Sequence, residues 1–444
     1  MRPASPAIDV GVVIDQGSWT LYQKALTVLA AIAVLFDGFD IQILGFAIPS
    51  IIREWHVTRG DLAPVLAIGL CGMALGSPFA GYCGDRFGRR TTLIGCVALF
   101  GAATVATAFS RGLIELAVLR FITGMGAGGA LPNAGALAAE FAPMRRRPAA
   151  VTFTIVCVPL GGMIGGLAAA WILPALGWHA LYVLGGTAPL VLAAILLWAL
   201  PESPRYLARH PHRWNELSRL LNRMGHAVTA GSAFEDASER RAERESVAGA
   251  ILGAGCLRDT LGLWLAFFAC LNAVYLVFGW LPAMLTAQGL DVAASSAGLA
   301  AYNFGGVLGV LIWAFAVAAV GSRLPMLLGA LGGAASALAL LSIQVRPGTG
   351  AALLIAGLGL HGLFVNAVQT NIYALGAHVY PTQVRASGVA AAAAVGRLGA
   401  VLSSITGAAI IQAGSATYLK VLAFSMVCTL LGLAAVRKHI PRRI

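Results

Sequence analysis

Charge is what this chain has least of. Asp, Glu, Lys and Arg make up 11% of its 444 residues, hydrophobic residues make up 59%, and the mean hydropathy is +0.82. Soluble domains carry about 25% charged residues, so a soluble globular fold is excluded. Cysteine is sparse and poorly placed for chemistry. Cys71, Cys83, Cys96, Cys157, Cys256, Cys270 and Cys428 show no C-x-x-C spacing and fall in apolar runs or in their inner connections. That excludes a disulfide framework and a zinc site, and leaves them as small hydrophobes. No nucleophile–base constellation, phosphate loop or metal-ligand cluster occurs, so neither an enzyme nor a cofactor is expected. Residues 1–20 hold Pro3, Pro6, Asp9 and Asp15 and no apolar core, so no signal peptide is expected and the first span would direct insertion. The one long polar stretch, 203–258, is too short for a folded signalling domain, which argues against a sensor.

What remains is an all-α integral membrane protein. A spanning helix needs about 20 apolar residues. Twelve such runs occur, near 22–49, 61–82, 91–109, 113–138, 149–173, 180–200, 260–286, 294–319, 325–345, 350–374, 386–411 and 416–436. They divide the chain into an N-terminal tail (1–20), a six-helix half (21–202), a linker (203–258), a second six-helix half (259–436) and a short tail (437–444). The net charge of +12 is a topology signal and requires no nucleic acid. Of the 30 Lys and Arg, 23 fall in the tails and the even-to-odd connections, and five (Arg53, Arg59, Arg111, Arg346 and Lys420) fall on the opposite side. The positive-inside rule then puts both termini in the cytoplasm. Within the linker, RWNELSRLLNRM has the pattern of a short amphipathic surface helix.

The first span is interrupted by charge. LFDGFDIQILGFAIPS carries Asp37 and Asp40 inside an otherwise apolar run. An ionised carboxylate at mid-membrane costs at least about 2.5–3.5 kcal/mol, so such acids face a wet cavity or a partner. At i and i+3 the two share one helical face, and Gly38 between them permits close approach of another backbone. The two other intramembrane charges are Arg120 in the fourth span and Arg397 in the eleventh. Arg120 is either a structural partner of Asp37 or Asp40, or a participant in transport. Burial disfavours a charged carboxylate and a nearby arginine favours it, so an acid between these effects can exchange protons. A guanidinium binds a carboxylate bidentately, which points to an organic anion as cargo. Asn272, Tyr275, Tyr302, Asn303, His361, Asn366 and Gln369 are polar or aromatic residues in the spans of the second half, expected to face the same cavity.

The turn between the second and third spans reads GDRFGRR, with Gly81, Asp85, Arg86, Gly88, Arg89 and Arg90 on the pattern G-x-x-x-D-R-x-G-R-[RK]. Motif and position together resemble the signature loop of the major facilitator superfamily. The resemblance implies two parallel six-helix repeats with a midplane site between them, and a latch role for Asp85, Arg86, Arg89 and Arg90. Glu140 reads as a gate-like partner of Arg89, Arg90 or Arg147. PESPRYL after the sixth span fits the same superfamily. The halves repeat: Pro143/Arg147 match Pro381/Arg385, Asn133 matches Asn371, and Gly124 matches Gly362. Arg385 therefore joins the gating set. The turn between the eighth and ninth spans, VGSRLPM, keeps only Arg323 of the charged motif.

Within the superfamily, the D-G-F-D of residues 37–40, the run from Arg120 to Glu140, YPTQVRASG and GRLGA around Arg397 resemble the aromatic acid:proton symporters. That resemblance implies uptake of a benzoate- or hydroxybenzoate-like acid with protons across a bacterial inner membrane by a monomeric carrier. Asp37 and Asp40 would carry proton coupling, and Arg120 and Arg397 would serve transport. A sugar, organic-ion or efflux carrier of the same superfamily is the alternative.

Overall fold

The computed structural model describes residues 8–229, 232–235, 256–343, 351–380 and 384–442. The membrane-spanning helices of the first half are α2 (Leu21–Trp55), α3 (Arg59–Phe87), α4 (Arg89–Thr107), α5 (Leu113–Phe141) and α6 (Arg147–Ala199). Those of the second half are α9 (Leu257–Ala287), α10 (Val292–Val320), α11 (Arg323–Leu340), α12 (Ala351–Val379), α13 (Arg385–Gln412) and α14 (Ser415–Ala435). The shorter elements are β1 (Ile8–Asp9), α1 (Val10–Gln16), α7 (Pro204–Ala208), α8 (Trp214–Arg223) and β2 (Phe234–Glu235).

Eleven of these helices are long and apolar enough to cross a membrane. One of them, α6, has 53 residues and bends at Gly177, whose φ of 75° and ψ of 178° are not helical. It therefore supplies the fifth and sixth spans without an intervening loop, and the spans number twelve as the hydropathy predicts. Broad outer faces expose large apolar side chains, Trp171, Trp198 and Phe315 among them, over an area that a soluble surface rarely shows. The chain is a multi-pass membrane protein.

Helix α2 lies at the centre and is defined at both ends by local chemistry. Thr20 and Gln23 form a capping box at its start, and His56 ends it in the left-handed region at φ 53°. It meets α6 where glycines remove the side chains. A methyl carbon on Gly38 would stand 2.2 Å from the carbonyl oxygen of Val158, and one on Gly161 would stand 1.9 Å from that of Leu35. The sequence repeat has a packing counterpart. Gly124 of α5 abuts Gly69 of α3, and Gly362 of α12 abuts Tyr302 of α10, the equivalent helix pair in each half. Asn133 and Asn371 each donate to the carbonyl one turn back, at 2.9 and 2.8 Å.

The N-terminal segment and linker are more structured than a tail and a surface helix. Ile8–Asp9 pairs in parallel with Phe234–Glu235. Val10 and Ile14 of α1, together with Leu217, Leu220 and Leu221 of α8, enter one buried cluster with Leu26 and Leu207. The apolar face of α8 thus packs on protein. At the other end of the chain, Ser322 donates its N–H to the Ile440 carbonyl at 2.9 Å and accepts the Ile440 N–H on its hydroxyl at 2.8 Å. The C-terminal segment closes the turn whose charged motif is missing. That turn retains a positive-φ glycine, Gly321 at 85°, matching Gly88 at 101° in the first half.

The helix crossing at Gly161 generates a test. Gly161→Ala forces α2 and α6 apart and should cost about 1–3 kcal/mol, the usual penalty of overpacking. Gly95, which has nothing within 4 Å of its added carbon, should accept alanine without loss. Thermal midpoints of the detergent-purified variants measure both. Equal midpoints for Gly161→Ala and wild type would remove the crossing as a packing constraint.

Candidate functional site

The two acids of α2 take different partners. Both are buried, Asp37 at 2% and Asp40 at 1% exposure. Asp40 accepts a hydrogen bond from the Thr104 hydroxyl at 2.6 Å, and its second oxygen lies 3.5 Å from the Arg120 guanidinium. Arg120 also donates to the Asp40 backbone carbonyl at 3.2 Å. Of the partners open to Arg120 in the sequence, the structure selects Asp40. The pair borders a hollow of about 30 Å³ with Leu66, Tyr275, Phe278 and Gly279, room for water but not for an organic cargo.

Asp37 faces a larger space, a cavity of about 340 Å³ between the halves, within the usual range for small-molecule sites. Its first-half wall is apolar except for Asp37 and Ser77: Leu131 and Pro132 come from α5, and Val151, Ile155, Val158 and Pro159 from α6. The second half supplies Tyr275 and Phe278 from α9, Gln369, Thr370 and Tyr373 from α12, and Arg397 from α13. Asp37 of the first half and Arg397 of the second thus line the same cavity. One oxygen of Asp37 has no hydrogen-bond partner among the described residues. The cavity runs from Asp37 toward Gly135, Val151 and Ala393, the ends of the helices nearest the linker. On the far side the halves touch. A carbon added to Gly45 would meet the Phe278 carbonyl at 2.2 Å, and Gln42 and Asn303 exchange two hydrogen bonds of 2.7 and 3.2 Å.

Of the residues singled out from sequence, Asp37, Tyr275, Gln369 and Arg397 share this cavity, and Asp40 with Arg120 adjoins it. Others are placed in helix contacts. Asn272 donates to the Gly399 carbonyl at 3.0 Å and accepts from Ser425. Asn303 is bound to Gln42. His361 bonds the Ser336 hydroxyl at 2.9 Å, Asn366 donates to the Gly362 carbonyl at 3.1 Å, and Tyr302 packs against Phe278 and His361. These five stand outside the cavity because each reaches a neighbour or its own helix backbone first. Gln42, Ser77, Thr104 and Thr370 were not singled out. Gln42 could have been, as an amide five residues from Asp37 in the same apolar run. A lone Thr or Ser in a span carries no such signal, since it can bond its own helix.

The charged turn lies at the linker end. Arg89 pairs with Asp85 at 2.6 Å and approaches Glu140 at 3.8 Å. Glu140 accepts from the Ser203 hydroxyl, and Glu202 accepts the Arg90 N–H at 2.9 Å. The Arg90 side chain donates to the Leu197 carbonyl at 2.5 Å, and that of Arg86 to the Tyr82 hydroxyl at 2.8 Å. Of the three arginines expected beside Glu140, Arg89 is there. Arg147 instead pairs with Asp15 of the N-terminal segment, which reaches it before Glu140 can. These contacts tie parts of the first half to one another and to the N-terminal segment and the start of the linker. The side chain of Arg385 and residues 381–383 lie outside the described residues.

Comparison with known proteins agrees with this arrangement. Residues 30–298 match the family described as Major Facilitator Superfamily. A gallate transporter of Pseudomonas putida is 34% identical over 98% of this chain and 94% of its own length. The 4-hydroxybenzoate transporter PcaK of Acinetobacter baylyi is 33% identical over 91% of this chain and 88% of its own. Among solved structures, the xylose transporter XylE from E. coli in a partially occluded inward-open conformation superposes with a TM-score of 0.74. It covers 95% of this chain and 99% of that one at 17% identity, a likeness of fold alone. With twelve spans in two repeated halves, a charged turn after the second span and a cavity between the halves, the chain belongs to the major facilitator superfamily.

Proposed function

We propose that this protein is a proton-coupled symporter that imports an aromatic carboxylic acid of the benzoate or hydroxybenzoate class. It works as a monomer in a bacterial inner membrane, with both termini in the cytoplasm. The observation that carries the reading is one acid and one arginine lining the same cavity, Asp37 from the first half and Arg397 from the second. Their charges cancel. A cargo carboxylate binding Arg397 leaves the cavity one negative charge in excess, at a depth where excess charge is costly. A proton on Asp37 restores neutrality. Anion and proton therefore load together, which is the requirement for symport. The Asp40–Arg120 pair balances its own charge beside the cavity, so Asp37 is the acid whose state depends on the cargo.

The apolar first-half wall suits an aromatic ring, and the arginine suits a carboxylate. The relatives named for gallate and 4-hydroxybenzoate support the same cargo class. The distribution of Lys and Arg supports cytoplasmic termini, so the cavity as seen faces the cytoplasm. Alternating access then consists of parting Gln42 from Asn303 on the far side while the halves close at the linker end. Both halves belong to one chain, so no second copy is needed. The contacts of Asp85, Arg86, Arg89, Arg90 and Glu140 suit a latch that holds the inner ends of the first half in register during that motion.

Proteoliposomes with an imposed pH gradient test the coupling. Wild type should accumulate a labelled aromatic acid faster as the outside is made more acidic. Asp37→Asn should lose that accumulation yet still exchange labelled for unlabelled acid; accumulation that persists would remove Asp37 from the proton path. Arg397→Gln should weaken binding of the acid on the order of 10- to 100-fold, the loss of charge-assisted bonds of about 1.5–3 kcal/mol each. The corresponding amide should suffer much less, and equal losses would make Arg397 structural. Asp40→Asn and Arg120→Gln should each destabilise the fold by about 3–5 kcal/mol by stranding a buried charge. The double variant should recover most of that in a thermal-melt assay.

A further inference from the structure

The polar residues of helix α12 divide by partner. Asn366 and Asn371 donate to carbonyls of their own helix at 3.1 and 2.8 Å. Gln369, Thr370 and Tyr373 instead line the central cavity, Gln369 and Tyr373 being one turn apart at i and i+4. Among the described residues, none of these three side chains has a hydrogen-bond partner. Ser77, across the cavity on α3, has none either, and the Tyr275 hydroxyl reaches only the Met73 sulfur at 3.8 Å. An unoccupied cavity hydrates such groups. A cargo entering it displaces that water, and a bare phenyl ring offers the amide and hydroxyls nothing in return. A phenolic hydroxyl both donates and accepts, as do glutamine, threonine and tyrosine side chains.

We propose that the Gln369, Thr370 and Tyr373 face is a subsite for ring hydroxyls, so the cargo is a hydroxylated, preferentially polyhydroxylated, aromatic acid rather than benzoate. The inference rests on the reading above, in which Arg397 holds the carboxylate. It adds a division of labour in the second half: α13 supplies the charge that holds the acid group, and α12 supplies the neutral groups that read the ring. The apolar wall of the first half then covers the ring faces without discriminating among substituents. A site built around hydrogen bonds to a hydroxyl rejects the analogue that lacks it far more strongly than an apolar pocket rejects an extra hydroxyl. The subsite is therefore selective against benzoate and gains with each hydroxyl that finds a partner among these groups.

Equilibrium binding of benzoate, 4-hydroxybenzoate and gallate to the full-length purified protein at one pH tests this. Wild-type affinity should rise in that order, by about tenfold or more between the ends, the equivalent of about 1.4 kcal/mol. Gln369→Leu and Tyr373→Phe should each reduce the gallate-to-benzoate affinity ratio by about three- to tenfold. Tyr373→Phe keeps the aromatic ring and its packing on Phe267, so its result reports the hydroxyl alone. A wild type that binds benzoate as well as gallate would overturn the subsite and leave the aromatic-acid reading standing, as would ratios unchanged in both variants. Binding of none of the three would overturn the aromatic-acid reading itself, and the subsite with it.

Discussion

The arrangement depends on how four intramembrane charges are balanced. Two carboxylates in one apolar helix are tolerable only if each meets a compensating charge or water. Asp40 meets Arg120 within its own half, with Thr104 satisfying one of its oxygens. Asp37 shares its cavity with Arg397, which belongs to the other half. The first pair remains intact however the halves move. The second is divided between bodies that must separate and rejoin, so its balance is open to anything that enters the cavity.

That asymmetry links packing to function. Close backbone contact at Gly38 and Gly161 fixes α2 against α6 as one rigid unit of the first half. The α2 helix can therefore present Asp37 at a defined depth while α12 and α13 move with the second half. The contacts between halves on the far side include an amide pair, Gln42 with Asn303, and close approaches of Gly45 to Phe278 and of Gly166 to Ala300, none of them an ion pair. Neutral amides exchange partners with water more cheaply than ion pairs do, which suits a contact that has to open in each cycle.

The linker end is built differently. There the ion pairs and charged hydrogen bonds run from the turn after α3 to α5 and to the segment after α6, all within the first half. In the second half the equivalent turn keeps only Arg323 of the charged motif, and the C-terminal segment closes it through Ser322 and Ile440. Both turns keep a left-handed glycine, Gly88 and Gly321, because the reversal of direction demands it whichever partner closes the turn.

The membrane class, the spans, the repeat and the placement of Asp37, Asp40, Arg120 and Arg397 within apolar spans were legible in the sequence. Hydrophobic length and the cost of buried charge are local properties that a chain carries in its residue order. The polar residues of the second half were legible as a set but not as individuals. Asn272, Asn303, His361 and Asn366 look the same in sequence as Gln369, yet each bonds a neighbouring helix or its own backbone, and Gln369 does not. Whether an amide in a span glues helices or meets cargo depends on which partner lies within about 3 Å, and only the packing of twelve helices decides that. For the same reason the sequence offered three arginines for Glu140, and tertiary structure assigned Arg89 to it and gave Arg147 to Asp15.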